Sequence, residues 1–220
     1  PQYGFVYVSI GDCKAYHWSN ITKSFSDITA SNRTGTLSAS DCGGRLGPHN
    51  EGNLPDLRNL ELGFYACNPG DCIMIVSDGV HDNLDPAHLG FSPRDLGIEA
   101  DSWDTVPDFE ICEDIKNEYR ISLLEKIIFG ELDSAAKKRE LSESTEPIKE
   151  KSKQSIDKNN RKLPSPIEIV DSLTSYCIEN CAASASWMQA NPRKRLPQDY
   201  RLYPGKMDHT TCVCVKIGEQ

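Results

Sequence analysis

The sequence lacks any apolar run approaching the roughly 20 residues that span a bilayer, so no segment reads as a membrane helix. It also lacks a charged-then-apolar leader. The opening "PQYGFVYV" runs almost directly into a strand, which suggests a portion of a longer product. A basic excess is missing too: 24 Lys and Arg stand against 33 Asp and Glu, a formal net charge of −9. That balance excludes broad nucleic-acid binding, which needs a positive surface. Finally, the nine cysteines contain no Cys-x-x-Cys pair, the usual mark of a structural zinc site. Most sit inside hydrophobic strings, where free cysteine acts as a small core residue. Reduced thiols imply the cytosol or nucleus.

What is present is patchy. "YGFVYVSIGD" (3–12) is rich in aromatic and β-branched residues and ends in a Gly-Asp turn. Its central residues are apolar on both faces, so the expectation is a strand buried on both sides, with "CKAYHW" (13–18) returning as a hairpin. Residues 19–59 read as a long polar loop. Two apolar runs, 60–67 and 72–77, bracket Asn68-Pro69-Gly70-Asp71. Pro then Gly suits the centre of a type II turn, so these runs predict a second hairpin. A helix is expected over about 110–130, with Ile115, Tyr119, Leu123 or Leu124 and Ile127 as its stripe. Residues 133–163 are charged and nearly free of large apolar side chains, the composition of a disordered insertion. Ser165, Pro166 and Glu168 form a capping-box start to a helix reaching about 190. "DHTTCVCVKI" (208–217) closes the chain as a strand, with Val213 and Val215 on one face and Cys212 and Cys214 on the other.

Acidic residues stand where strands end: Asp12 after "FVYVSIG", Asp78 after "CIMIVS", and Asp208 before "TTCVCV", with Asp82 four residues beyond Asp78. Taken singly, each is ordinary turn chemistry. Taken together, they are the oxygen donors that hard divalent cations prefer, and glycines beside Asp12 and Asp78 would let an ion or water come close.

These stretches resemble the motifs of the type-2C, metal-dependent protein phosphatases (the PPM family). "GDCKAY" is similar to its Gly-Asp-Ser-Arg-Ala strand end, and "GDCIMIVSDGVHDNL" to its hydrophobic run ending in Asp-Gly-hydrophobic-aromatic-Asp. "DHTTCVCVKI" resembles its closing Asp-Asn-x-Thr strand, and all three occur in the family's order. The resemblance implies an α+β fold: an antiparallel β-sandwich flanked by helices. Residues 1–132 and 164–220 would belong to this phosphatase-like domain, split by the insertion at 133–163. It implies hydrolysis of phosphoserine and phosphothreonine in a phosphoprotein substrate; the expectation is a monomer, cytoplasmic or nuclear on the cysteine argument. A water bridging two Mn²⁺ or Mg²⁺ ions would be the nucleophile, so no side chain attacks phosphorus. By motif, Asp78 and Asp208 would hold one of the two ions. Asp12, Asp78 and Asp82 match a third, weaker position found in some members. Gly79, His81 and His209 would lie at the rim of the site.

The chain departs from the family pattern in one decisive place. The Asp-Gly-His-Gly-Gly stretch that supplies the bridging aspartate is not in the sequence, nor is the upstream phosphate-binding arginine. "DCGGR" (41–45) follows a polar loop and comes after the Gly-Asp motif, so it is no substitute. His81 stands for the usual aromatic and His209 for the usual asparagine. Three readings therefore follow: an enzyme whose remaining ligands lie elsewhere, a catalytically weak phosphatase-like scaffold that binds partner proteins, or, against the order of the three motifs, an unrelated β-rich interaction domain whose aspartates are turn residues.

Overall fold

A computed structural model describes residues 1–29, 43–50, 54–132 and 161–218. The strands are β1 (Tyr3–Ser9), β2 (Lys14–Ser19), β3 (Ser24–Asp27), β4 (Arg45–Asn50), β5 (Leu54–Asp56), β6 (Glu61–Cys67), β7 (Cys72–Val76) and β8 (Cys212–Lys216). The helices are α1 (Asp78–His81), α2 (Phe109–Ile128), α3 (Pro166–Asn180) and α4 (Ala182–Ala190), with short 3-10 turns between α1 and α2. Every strand pairing is antiparallel. The α+β architecture of antiparallel sheets flanked by helices is thus the one adopted.

The central layer is a four-stranded sheet in the order β3-β2-β7-β8. One face, carrying Tyr16, Trp18, Met74 and Val76, packs with Leu124 of α2 and with Ile169 and Leu173 of α3. Burial of such side chains contributes about 1.5–3 kcal/mol each before entropy is counted. Helix α2 starts because Asp108 accepts a bond from the Ile111 amide, and it stops at Gly130, whose φ of 67° is left-handed. Helix α3 has the expected capping box: the Ser165 amide donates to Glu168 at 2.8 Å and the Glu168 amide to Ser165 Oγ at 3.3 Å.

The second layer is a two-stranded ribbon, β1-β6, and here both hairpin expectations are corrected. Strand β2 pairs with β3 and β7 rather than with β1. Strand β6 pairs with β1, and β7 with β2 and β8. The turn itself was legible: the Asp71 amide donates to the Asn68 carbonyl at 3.1 Å and Gly70 has φ 84°. The apolar runs on either side of it belong to different layers, which local turn chemistry cannot reveal. The ribbon lies on the sheet through Tyr65, whose ring is 4.6 Å from that of His17, and through the Tyr7 hydroxyl, which donates to the Ile28 carbonyl.

Strand β1 is correspondingly not buried on both sides. Its register places Val6 opposite Phe64 and Val8 opposite Leu62, and these four side chains face outward, exposed. The supposed loop at 19–59 contains β3, β4 and β5. The C-terminal helix breaks at Cys181, where Asn180 and Cys181 both turn their side chains to Asn83. The closing strand is shorter than expected, Cys212–Lys216. Most of the charged stretch, 133–160, lies outside the described residues. Its last residues are ordered: Arg161 bonds Glu131 at 2.8 Å and Glu125 at 3.2 Å, and Leu163 packs on the core.

Candidate metal centre

Strand β7 delivers Asp78 to the first position of α1, and one short turn later Asp82 falls on the same side. Strand β8 runs antiparallel to β7, so the segment before it, with Asp208, returns to the same end of the sheet. The two strands stay joined past their ladder. The Ser77 amide donates to the Thr211 carbonyl, Ser77 Oγ donates to the His209 carbonyl, and the Thr211 amide donates to Ser77 Oγ. Gly79 makes the closeness possible: a Cβ there would lie 2.5 Å from the His209 carbonyl oxygen.

The three acids do converge, but on a residue that sequence reasoning passed over. Lys206 Nζ lies 2.8 Å from Asp82 Oδ2, 3.0 Å from Asp78 Oδ2 and 3.6 Å from Asp208 Oδ2. The opposite oxygens have local partners. Asp78 Oδ1 accepts the Gly79 amide at 2.8 Å, Asp208 Oδ1 accepts the His209 amide at 2.8 Å, and Asp82 Oδ1 lies 3.2 Å from His81 Nδ1. Partial burial works against the charge on Lys206. Hydrogen bonds and Coulombic attraction from Asp82, then Asp78, outweigh it and hold the ammonium above the usual lysine range.

The lysine is positioned by Asn83, a fully buried side chain that acts as a backbone mimic. Its Nδ2 donates to the Lys206 carbonyl at 3.0 Å and its Oδ1 accepts the Lys206 amide at 3.2 Å. The same amide group donates to the Gly79 carbonyl and accepts from Asn180 Nδ2, tying α1, the end of α3 and the loop before β8 together. Gly205, with φ 81°, turns the chain into this bracket. A single asparagine in "HDNL" carries no sequence signal for such a role.

The remaining candidates are placed as follows. Asp12 is buried at the strand end and opens into a separate cavity of about 550 Å³, lined also by Cys13 and Arg45. Burial, then the negative charges of Asp12 and Asp78, push the Cys13 thiol up. His81 is buried beneath the cluster, not at its rim, and His209 has its side chain fully in solvent. Lys206, Asp208 and His209 border a cavity of about 430 Å³ whose other wall is Cys177, Ile178, Cys181 and Ala185.

Hard cations would be held here by the carboxylate oxygens. As arranged, the oxygens that would face such an ion are turned to the Lys206 ammonium. The donor set therefore does not fit a pair of metal ions unless the lysine leaves. A different donor group, His17, Cys67 and Asp71, sits at the opposite end of β7 with its ligand atoms within 4.8 Å of one another. There Asp71 already accepts the amides of Asn20 and Asn68 at 2.8 Å each and lies 3.0 Å from His17 Nε2.

No family model matches the chain. It is 29% identical over 109 residues to the PP2C-like domain-containing protein CG9801 of Drosophila melanogaster, a match covering 47% of this chain and 13% of that protein's length. A solved serine/threonine phosphatase of S. agalactiae is 15% identical, covering 53% of this chain and 49% of the other; at a TM-score of 0.24 that superposition carries no weight. In its ordered motifs, its antiparallel α+β architecture and its match to the fly relative, the chain resembles a PP2C-like domain.

Proposed function

We propose that this chain is a phosphatase-like scaffold that engages partner proteins, with an internal ammonium rather than catalytic metal ions seated among its acids. One observation carries the reading: the Lys206 ammonium lies within 3.6 Å of Asp78, Asp82 and Asp208. An internal cation does for these carboxylates what a divalent ion would do, without supplying a metal-bound water.

A metal-dependent phosphoserine/phosphothreonine hydrolase using Mn²⁺ or Mg²⁺ is the second reading. It is favoured by the charge count: three carboxylates against one ammonium leave the cluster net negative, a setting that attracts a further cation.

Manganese titration and phosphate release separate the two. The wild-type chain is expected to bind Mn²⁺ weakly and to release no phosphate from a phosphopeptide or p-nitrophenyl phosphate. Lys206→Met should bind Mn²⁺ at least ~10-fold more tightly, equivalent to about 1.4 kcal/mol. Manganese-dependent turnover by the wild type, abolished in Asp78→Ala, would overturn the scaffold reading in favour of the hydrolase.

A further inference from the structure

Among the described residues every cysteine is a free thiol, and two of them meet. Cys72, the first residue of β7, and Cys214, in the middle of β8, point into the core from adjacent strands, and their sulfurs are 3.1 Å apart. The contact is diagonal: the ladder sets Cys72 opposite Lys216 and Met74 opposite Cys214. Cys72 is fully buried, whereas Cys214, on the edge strand β8, is only partly buried.

We propose that Cys72 and Cys214 form a peroxide-responsive disulfide that clamps β7 to β8. One sulfur attacks the O–O bond of hydrogen peroxide, giving a sulfenic acid and water. The second sulfur displaces the sulfenic oxygen as a second water. Two S–H bonds and one O–O bond break, while one S–S and two O–H bonds form, so two thiols lose two electrons and peroxide gains them. The neighbouring cysteines compete poorly. Burial, followed by nearby thiols, pushes Cys177 up to about 12 and Cys212 up to about 11. Cys72 moves the other way, because the hydrogen bond from Cys214 favours its thiolate, the nucleophilic form.

The clamp has a structural consequence. β7 leads to Asp78 and β8 follows Asp208, so a covalent link between the strands holds both carriers of the acid cluster in register. It also closes a loop of 142 residues in the unfolded chain, which raises stability mainly through the unfolded state.

The test uses the whole 220-residue chain treated with hydrogen peroxide, alkylated and mapped by mass spectrometry without reduction. The expected product is one cross-linked peptide pair joining Cys72 to Cys214, reversed by dithiothreitol. Its formation should raise the thermal midpoint by on the order of 5–10 °C. Cys13→Ser should keep both effects and Cys214→Ser should lose both. If Cys214→Ser does not fold, the wild-type map still decides. Recovery of Cys72 and Cys214 as alkylated thiols after peroxide, or links scattered among other cysteines, overturns the proposal.

Discussion

Strand β7 carries an aspartate against a basic side chain at each end, and the two ends have opposite characters. At its start, Asp71 is fully buried, with His17 and two backbone amides as partners. At its finish, Asp78 and Asp82 share Lys206 with Asp208, and the lysine keeps a quarter of its side-chain surface in solvent. The first arrangement is a lock: it fastens the 68–71 turn to the end of β2, where the chain crosses between layers. Two backbone amides fix Asp71 in place, which gives it a structural task. The second arrangement is held mainly by one side chain that can move, which makes it a site. Residue type is the same at both ends; burial and the kind of donor decide between scaffold and function.

The comparison breaks most severely at the lock. Asp71→Ala leaves His17 and two amides without their buried acceptor and should cost about 3–5 kcal/mol, read from urea denaturation. Lys206→Met should cost less, about 1–3 kcal/mol, since Asp82 alone of its three partners is deeply buried. Manganese should restore Lys206→Met and leave Asp71→Ala unchanged; rescue of both would show that the two ends of β7 do not differ in kind.

Acid titration sharpens the same contrast. Burial works against the Asp71 carboxylate, but the amides of Asn68 and Asn20 and the side chain of His17 outweigh it, so its pKa in the folded protein lies below the usual carboxylate range. A depressed folded value contributes stability that is present above the unfolded pKa of about 3.9 and lost as pH falls through the folded one. Urea midpoints measured from pH 5 down to pH 2 should therefore fall less steeply in Asp71→Asn than in the wild type. Equal slopes would show that Asp71 does not carry this linkage. The smallest effect belongs to His209→Ala. Its side chain stands in solvent, so the change should stay within ~0.5 kcal/mol and leave manganese affinity as it was.

By itself the sequence determined the pieces whose cause is local. The capping box at Ser165 and Glu168, the Gly70 turn, the long apolar face of α2 and the acids at strand ends all follow from residues within a few positions of one another. Their order was enough to expose the resemblance to type-2C phosphatases. Strand partners were beyond its reach, because an apolar run such as "CIMIV" states that a strand is covered, not what covers it. Only the tertiary structure decided that β6 and β7 part into different layers and that Val6, Val8, Leu62 and Phe64 face outward. It also decided that Lys206 stands among the acids. Nothing in "PGKMDH" marks that lysine, since its place depends on Asn83, more than a hundred residues away in the chain. The acids were legible because charge at a strand end is a local event; the cation among them was not, because a long-range hydrogen-bond bracket put it there.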